Sequence, residues 1–152
     1  MNTTTITVLP MSGADLEAVI ALDHRITGQS RRGFYTKQFA ATRNDPDAFI
    51  WLVAILDGNL AGFISTRIID GEFGGTRPAA VVEAIGTHPE LRGHGVARAL
   101  MSALERRLAA RNVAEIHSEA DWKEIDLVRF FAASGFQLAP NLVLGCNVTT
   151  EL

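Results

Sequence analysis

The stretch HPELRGHGVARAL, residues 88–100, decides the fold, because it joins an apolar segment to an amphipathic one through two closely spaced glycines. The apolar segment AAVVEAIG that precedes it is typical of a buried strand. The segment that follows carries Val96, Leu100, Leu104 and Leu108 at helical spacing. The stretch is therefore predicted to be a turn that leads from a strand into a helix.

Such a turn presents free backbone N–H groups at the positive end of the helix dipole, which is a favourable place for an anion. Gly93 and Gly95 leave the backbone uncovered, and Ala97 is a small residue in the first helical turn. Arg92 and Arg98 add positive charge that suits a diphosphate. The sequence thus predicts a turn that binds a diphosphate.

Three kinds of phosphate-binding turn compete for this assignment. A Walker loop is excluded, because it needs Lys and then Ser or Thr after its last glycine, whereas Val96 and Ala97 follow Gly95. A dinucleotide-binding turn needs a small residue at the position of Arg98, so it is kept only as a lesser alternative. The third kind is the turn that binds an acyl-CoA.

The turn resembles motif A of the GNAT superfamily of acyl-CoA-dependent N-acetyltransferases. The motif reads Gln or Arg, two residues, Gly, one residue, then Gly or Ala, and Arg92, Gly95 and Ala97 match it. The segment LVRFFAASGF, residues 127–136, resembles a later segment of the same family. Together with the order of predicted elements, the resemblance extends over roughly residues 3–148.

The resemblance implies a cosubstrate, acetyl-CoA, and a set of residues that bind it. Backbone N–H groups of residues 92–97 would hold the pyrophosphate, the preceding strand would line the pantetheine, and Arg98 would supply outer charge. The expected cofactor-binding residues are Ile85, Gly86, Thr87, Arg92, Gly93, His94, Gly95, Val96, Ala97, Arg98 and Phe131. No metal is expected, because His117 with Glu119 is the only histidine pair at a metal-binding spacing, and two ligands do not make a zinc site.

Acetyl transfer to an amine requires a neutral amine, a stabilised oxyanion and a proton for the departing thiolate. Glu83 is the candidate base, since it interrupts an apolar strand where its carboxylate should be partly desolvated. A structural role for Glu83, as the partner of an arginine or at a strand edge facing water, is an equal alternative.

The candidate acid is less well defined. The tyrosine position of the later family segment is occupied by Phe131, which has no proton to donate. A thiolate is a good leaving group, so an acid is helpful but not required. Tyr35 is the only tyrosine, and it lies in the helical pair that the resemblance places at the acceptor pocket. Tyr35 is therefore a candidate catalytic residue, and an ordinary packing role is the alternative.

Two sets of charges predict opposite acceptors. An acidic set would attract a cationic amine, and a basic set would attract an anionic acceptor or the ribose phosphate of CoA. The acidic set is Asp70, Glu72 and Glu83. The basic set is Arg31, Arg32 and Lys37.

The composition fits a single domain over residues 1–152. The net charge of −3 disfavours a nucleic-acid partner. No apolar run approaches the ~18 residues that cross a bilayer, so a cytoplasmic protein without a membrane partner is expected. The single cysteine, Cys146, excludes an internal disulfide and a multi-cysteine metal site.

The order of elements predicts an α/β (α+β) fold like that of the GNAT proteins. We expect a mixed, mostly antiparallel, twisted sheet of six to seven strands flanked by about four helices. The predicted strands are residues 4–10, 48–56, 60–69, 79–87, 113–120, 136–140 and 142–148. The predicted helices are residues 16–26, 34–44, 96–112 and 124–134.

The leading hypothesis is an N-acetyltransferase that moves an acetyl group from acetyl-CoA to a primary amine. The amine belongs to a small molecule or a peptide and attacks directly in a ternary complex. The alternative is a non-catalytic module that binds or senses acyl-CoA. The apolar strand 142–148 could supply an edge for a homodimer.

Overall fold

The structure is a computed structural model that describes residues 5–71 and 74–148. Five strands and four helices of more than one turn follow one another in the order that the sequence predicts. The strands are β1 (Ile6–Pro10), β2 (Phe49–Leu56), β3 (Asn59–Asp70), β4 (Pro78–Thr87) and β5 (Glu115–Ser118). The helices are α1 (Leu16–Thr27), α2 (Arg32–Asn44), α3 (Val96–Ala110) and α4 (Ile125–Ala133).

The five strands form one sheet in the order β1-β2-β3-β4-β5. Strands β1 to β4 pair antiparallel, and β5 pairs parallel with β4. The β2–β3 hairpin turns at Asp57 and Gly58, whose φ angles are 51° and 79°. Two positive φ angles match the right-handed twist of the flanking strands, which explains the Asp-Gly pair at this turn.

Helices cover both faces of this sheet, as predicted. The face that we call the α1–α2 face carries Trp51, Phe63 and Ala84, which share a buried cluster with Val19 of α1 and Tyr35 of α2. On the other face, helix α3 buries its apolar stripe. That stripe is Val96, Leu100, Leu104 and Leu108.

The contacts divide the chain into two units, Met1–Glu119 and Ala120–Leu152. The first unit holds the whole sheet and α1 to α3. The second holds α4, in which Phe131 is buried and packs 4.8 Å from the ring of Phe136. Gly135 follows α4 with a φ of 92°, as expected for a glycine that ends a helix.

The two closing strands predicted at residues 136–140 and 142–148 are wrong. Residues 136–148 form no strand, so the sheet has five strands rather than six to seven. A strand exists only when another strand supplies hydrogen-bond partners, and an apolar pattern cannot supply one. Apart from the partly buried Phe136, the large apolar side chains of this segment are exposed. They are Leu138, Leu142, Val143, Leu144 and Val148.

Within the described part of the chain, no helix is both long enough and apolar enough to cross a membrane.

Candidate active site

The turn between β4 and α3 leaves a row of backbone N–H groups without acceptors. Gly93 and Gly95 have φ angles of 83° and 82°, in the left-handed region that favours glycine. Since α3 begins at Val96, the N–H groups of Val96, Ala97 and Arg98 lack the usual acceptor four residues earlier. Among the described residues, no backbone acceptor is found for these five N–H groups.

The space in front of the same turn is open. An added Cβ at Gly93 or Gly95 would meet no atom within 4 Å. The side chains of Arg92, His94 and Arg98 are exposed, and the His94 ring lies against the carbonyl oxygen of Arg92, 3.2 Å from Nδ1. Free donors, open space and two flanking arginines fit a diphosphate group.

The edge of β4 beside this turn is also unpaired. Strand β5 pairs with β4 only over Ala79–Val82. In the described part of the chain, no strand lies on that side of Ile85, Gly86 and Thr87, which were expected to line the pantetheine. Their backbone groups are available to an extended ligand that adds to the sheet as a strand does.

Gly62 allows α3 to approach the sheet at this point. A Cβ on Gly62 would lie 2.7 Å from the Gly86 carbonyl oxygen and 2.7 Å from Cγ1 of Val96. Both distances are shorter than any normal contact, so only glycine lets the first residue of α3 sit over the β3–β4 ladder. Sequence reasoning missed this residue, although a glycine inside an apolar strand is a signal of close approach.

Glu83 occupies a β-bulge. Ser65 pairs with Ala84 and the next residue of β3, Thr66, pairs with Val82, so Glu83 is an extra residue with no partner in β3. A bulge redirects the side chain of the extra residue. The bulge thus explains how a carboxylate is accommodated in a strand whose other residues are apolar or small.

The Glu83 carboxylate is held by one residue of the sheet and one of α2. Arg67 donates from Nε to Oε1 at 3.2 Å, and Gln38 donates from Nε2 to Oε2 at 3.3 Å. The side chains of Glu83 and Arg67 are 18% and 41% exposed. An arginine partner agrees with the structural interpretation of Glu83, and the base assignment stays a prediction. Arg67 and Gln38 were missed because neither belongs to a local motif.

Tyr35 has a buried hydroxyl that is already engaged. Its side chain is 0% exposed. It donates a hydrogen bond to Oδ1 of Asp23 at 2.8 Å and accepts one from Nη2 of Arg31 at 3.3 Å. Burial, followed by the Asp23 carboxylate, raises the pKa of the Tyr35 hydroxyl. These contacts favour the packing interpretation of Tyr35 over the catalytic one.

Two members of the predicted basic set are paired with carboxylates. Arg31 binds the buried Asp23 through Nε and Nη2, and this hydrogen bonding raises the pKa of Arg31. Arg32 binds the exposed Glu17 through two bonds of 2.7 and 2.8 Å. In the acidic set, Asp70 is an exposed residue at the end of β3, and Glu72 lies outside the described residues.

A metal site is not found in the described residues, where no three His, Cys, Asp or Glu side chains come together.

Comparisons with known proteins agree with the predicted family and fold. The model of the acetyltransferase (GNAT) family matches residues 16–136. The protein belongs to this family. The match includes the turn at residues 92–97, both residues of the Arg67–Glu83 pair and helix α4.

Among curated proteins, an acetyltransferase of Pectobacterium atrosepticum is 40% identical over 74 residues, which are 49% of this chain and 46% of that protein. An acetyltransferase of Sodalis glossinidius is 42% identical over 74 residues, again 49% and 46% of the two chains. The matched region therefore spans about half the length of these relatives.

Among solved structures, the aminoglycoside N-acetyltransferase AAC(6')-Iy in complex with CoA has a TM-score of 0.82 and 19% identity. The match covers 96% of this chain and 97% of that one. A transcriptional regulator from Bacillus halodurans C-125 has a TM-score of 0.78 and 20% identity, with 95% and 100% of the chains covered. At these identities the likeness shows the fold alone.

Proposed function

We propose that the protein is an N-acetyltransferase that moves an acetyl group from acetyl-CoA to a primary amine of a small molecule or peptide. The observation that carries the proposal is the turn at residues 93–98 beside the edge of β4. Among the described residues, every backbone N–H group of this turn except that of His94 has no backbone acceptor. A diphosphate and an extended arm in direct succession are the recognition features of CoA. Family membership supports the same cosubstrate.

In this proposal, residues 92–97 bind the pyrophosphate and Arg98 contributes outer charge. Ile85, Gly86 and Thr87 bind the pantetheine through their backbone groups, which orients the thioester along β4. The bulge at Glu83 lies two residues before this segment, so the carboxylate is positioned near the acyl end of the cosubstrate. Phe131, which the resemblance assigns to the cofactor-binding set, stays a prediction.

Glu83 is the proposed general base. Its carboxylate accepts a proton from the ammonium form of the acceptor, and the amine nitrogen then attacks the thioester carbonyl carbon. A C–N bond forms and the nitrogen loses its second proton to water, the C–S bond breaks, and CoA leaves as a thiolate that takes a proton from solvent. Tyr35 has no part in these steps, because its hydroxyl is buried against Asp23.

The second candidate function is a module that binds acyl-CoA without turnover. Two observations favour it: Phe131 stands at the usual tyrosine position, and the only tyrosine is inaccessible. A regulator with the same fold is a reminder that this fold serves proteins with different names. A cytoplasmic location and a homodimer stay predictions.

The experiment that tests the proposal measures binding and turnover separately. Calorimetry gives the affinity for CoA, and a thiol-specific dye follows CoA release from acetyl-CoA in the presence of amino acids, polyamines, aminoglycosides and short peptides. We expect CoA binding and amine-dependent thiol release. Binding without release on any amine would favour the non-catalytic module, and binding of NAD in place of CoA would favour a dinucleotide-binding domain.

A further inference from the structure

We infer that the Arg67–Glu83 pair selects an acceptor that carries a carboxylate beside its amine, as an α-amino acid does. This inference rests on the proposed function and names the acceptor class of the same site. Arg67 would be the specificity-determining residue that binds the acceptor carboxylate, and Glu83 would receive the ammonium group.

Arg67 and Glu83 lie on the same face of the sheet. Arg67 pairs across the sheet with Phe49, whose side chain packs against the cluster of the α1–α2 face. Glu83 reaches the same face, since it is bonded both to Arg67 and to Gln38 of α2. Opposite charges therefore lie side by side on one face, at the bulge where the thioester is proposed to end.

Arg67 uses only part of its hydrogen-bonding capacity on Glu83. A guanidinium group has five N–H donors, arranged as a fork that matches a carboxylate. Nε of Arg67 is the donor to Glu83, and in the described residues no acceptor is found for the donors on Nη1 and Nη2. The side chain is 41% exposed, so these donors are open to a ligand.

The arginines of α1 and α2 differ from Arg67 in the partners of their guanidinium groups. Arg25, Arg31 and Arg32 direct their Nη groups at the carboxylates of Glu90, Asp23 and Glu17. Arg43 has its guanidinium 5.9 Å from the ring centre of Phe39. Arg67 differs from the first three, because the residues that the structure describes offer no carboxylate to its Nη groups, although its Nε is bonded to Glu83.

The charges of Arg67 and Glu83 favour an acceptor that carries both an ammonium group and a carboxylate. The ammonium and carboxylate of an α-amino acid carry opposite charges on neighbouring atoms, which complements the neighbouring charges of Glu83 and Arg67. A bidentate carboxylate–guanidinium contact also fixes the orientation of the amine. An acceptor with several ammonium groups and no anion would place one of its charges against Arg67, which is unfavourable.

The test compares amino acids with their α-carboxamides, for example leucine with leucinamide and phenylalanine with phenylalaninamide. Each pair has the same shape and differs in the negative charge. We expect kcat/KM to be about 10- to 100-fold higher for the acid, as a charged hydrogen-bonded contact provides. The amide has the less basic amine, so amine reactivity alone would favour the amide instead.

Replacing the arginine separates its contact with substrate from its effect on Glu83. In Arg67→Gln, the ratio of kcat/KM for acid over amide should fall close to one, mainly through a higher KM for the acid. Any general effect on Glu83 acts on both substrates and cancels in the ratio. Arg106→Gln, on the exposed side of α3, is the matched control and should leave the ratio unchanged.

Three outcomes would overturn the inference. The first is a preference of the wild-type protein for the amides, and the second is an Arg67→Gln variant that keeps the wild-type ratio; in either case the proposed function survives. The third is thiol release with amines that lack a carboxylate and none with amino acids, which also overturns the inference and leaves the proposed function standing. Absence of release on every amine removes the proposed function, and this inference with it.

Discussion

The two ends of the proposed reaction site are built in different ways. At the proposed diphosphate turn, residues 92–97, the donors are mainly backbone N–H groups, which two glycines leave uncovered. On the α1–α2 face, Glu83 is held by Arg67 and Gln38, which are 16 and 45 positions away in sequence. A site made of backbone groups can be recognised from one short motif. A site made of side chains depends on which strands and helices pack together.

Because the turn binds through consecutive backbone groups, we expect one substitution there to abolish most of the CoA binding. Gly95→Asp therefore has the largest expected effect. The new carboxylate would occupy the space in front of the free N–H groups and repel the diphosphate. We expect CoA binding to fall at least ~100-fold, the equivalent of about 3 kcal/mol. The measurement is calorimetric titration with CoA.

Gly58→Asp is the matched control for that variant. Gly58 has a φ of 79°, close to the 82° of Gly95, and it also has open space around its Cβ position. The two variants therefore share the same backbone strain, but Gly58 lies in the β2–β3 turn. Equal loss of CoA binding in both variants would refute the diphosphate turn.

On the other face, Glu83→Gln should reduce kcat while leaving CoA binding unchanged. The amide keeps an oxygen that can accept from Arg67, but it cannot take a proton from the acceptor. General-base catalysis contributes ~10²–10⁴-fold, so we expect a loss of at least about 100-fold in kcat. Steady-state kinetics at saturating acetyl-CoA measures it.

Glu105→Gln, on the exposed side of α3, controls for the general loss of one negative charge. The base assignment would be wrong if Glu83→Gln kept most of the wild-type kcat. If Glu83 is the base, the kcat of Glu83→Gln should approach that of the wild type as the pH rises, because more of the acceptor amine is then already neutral. If Glu83 is not the base, the ratio of the two kcat values should not change with pH.

Gly62→Ala tests the packing that connects the two ends. The added methyl group overlaps the Gly86 carbonyl oxygen and Val96, so we expect the free energy of unfolding to fall by about 1–3 kcal/mol. CoA binding should weaken as well, because Val96 begins α3. Urea denaturation and calorimetry measure the two effects.

Gly33→Ala serves as the control for a Gly-to-Ala change. Gly33 lies in α2 with no atom within 4 Å of its Cβ position, so alanine should stabilise the helix by about 0.5–1 kcal/mol. If Gly62→Ala behaved like Gly33→Ala, the close approach of α3 to the sheet would be incorrect.

Tyr35→Phe has the smallest expected effect on turnover. The variant removes one donor from the buried Asp23, so we expect about 1–2 kcal/mol of destabilisation with turnover close to wild type. Urea denaturation and thiol release check the two parts. A large loss of turnover at unchanged stability would instead support the catalytic role predicted from the sequence.

The pH dependence of stability gives a second readout for Tyr35. Its pKa is raised in the folded protein, so the folded state holds this proton more tightly than the unfolded chain. The stabilising contribution is complete below the unfolded value of ~10 and is lost as the pH rises above it. The wild-type protein should therefore lose more stability above pH ~10 than Tyr35→Phe does.

Sequence alone predicted the elements whose signals are local. The amphipathic stripe of α3, the two strands on either side of the Asp57–Gly58 turn and the strand before residues 92–97 all lie where the sequence predicts them. The closing strands at 136–140 and 142–148 failed, since a strand needs a partner that its own residues do not specify. Tyr35 was assigned to a pocket, and its burial against Asp23 could not be read from its helix.

The motif at residues 92–97, the later segment 127–136 and the order of elements together predicted the family from the sequence, because glycines and a helix start are properties of consecutive residues. Binding of the cosubstrate at this turn stays a prediction. The tertiary structure decided the rest of the site. Only the β3–β4 register makes Glu83 a bulge, and only the packing of α2 on the sheet brings Gln38 to it. Hydrogen bonds between distant side chains depend on the fold as a whole, and no short stretch of sequence encodes them.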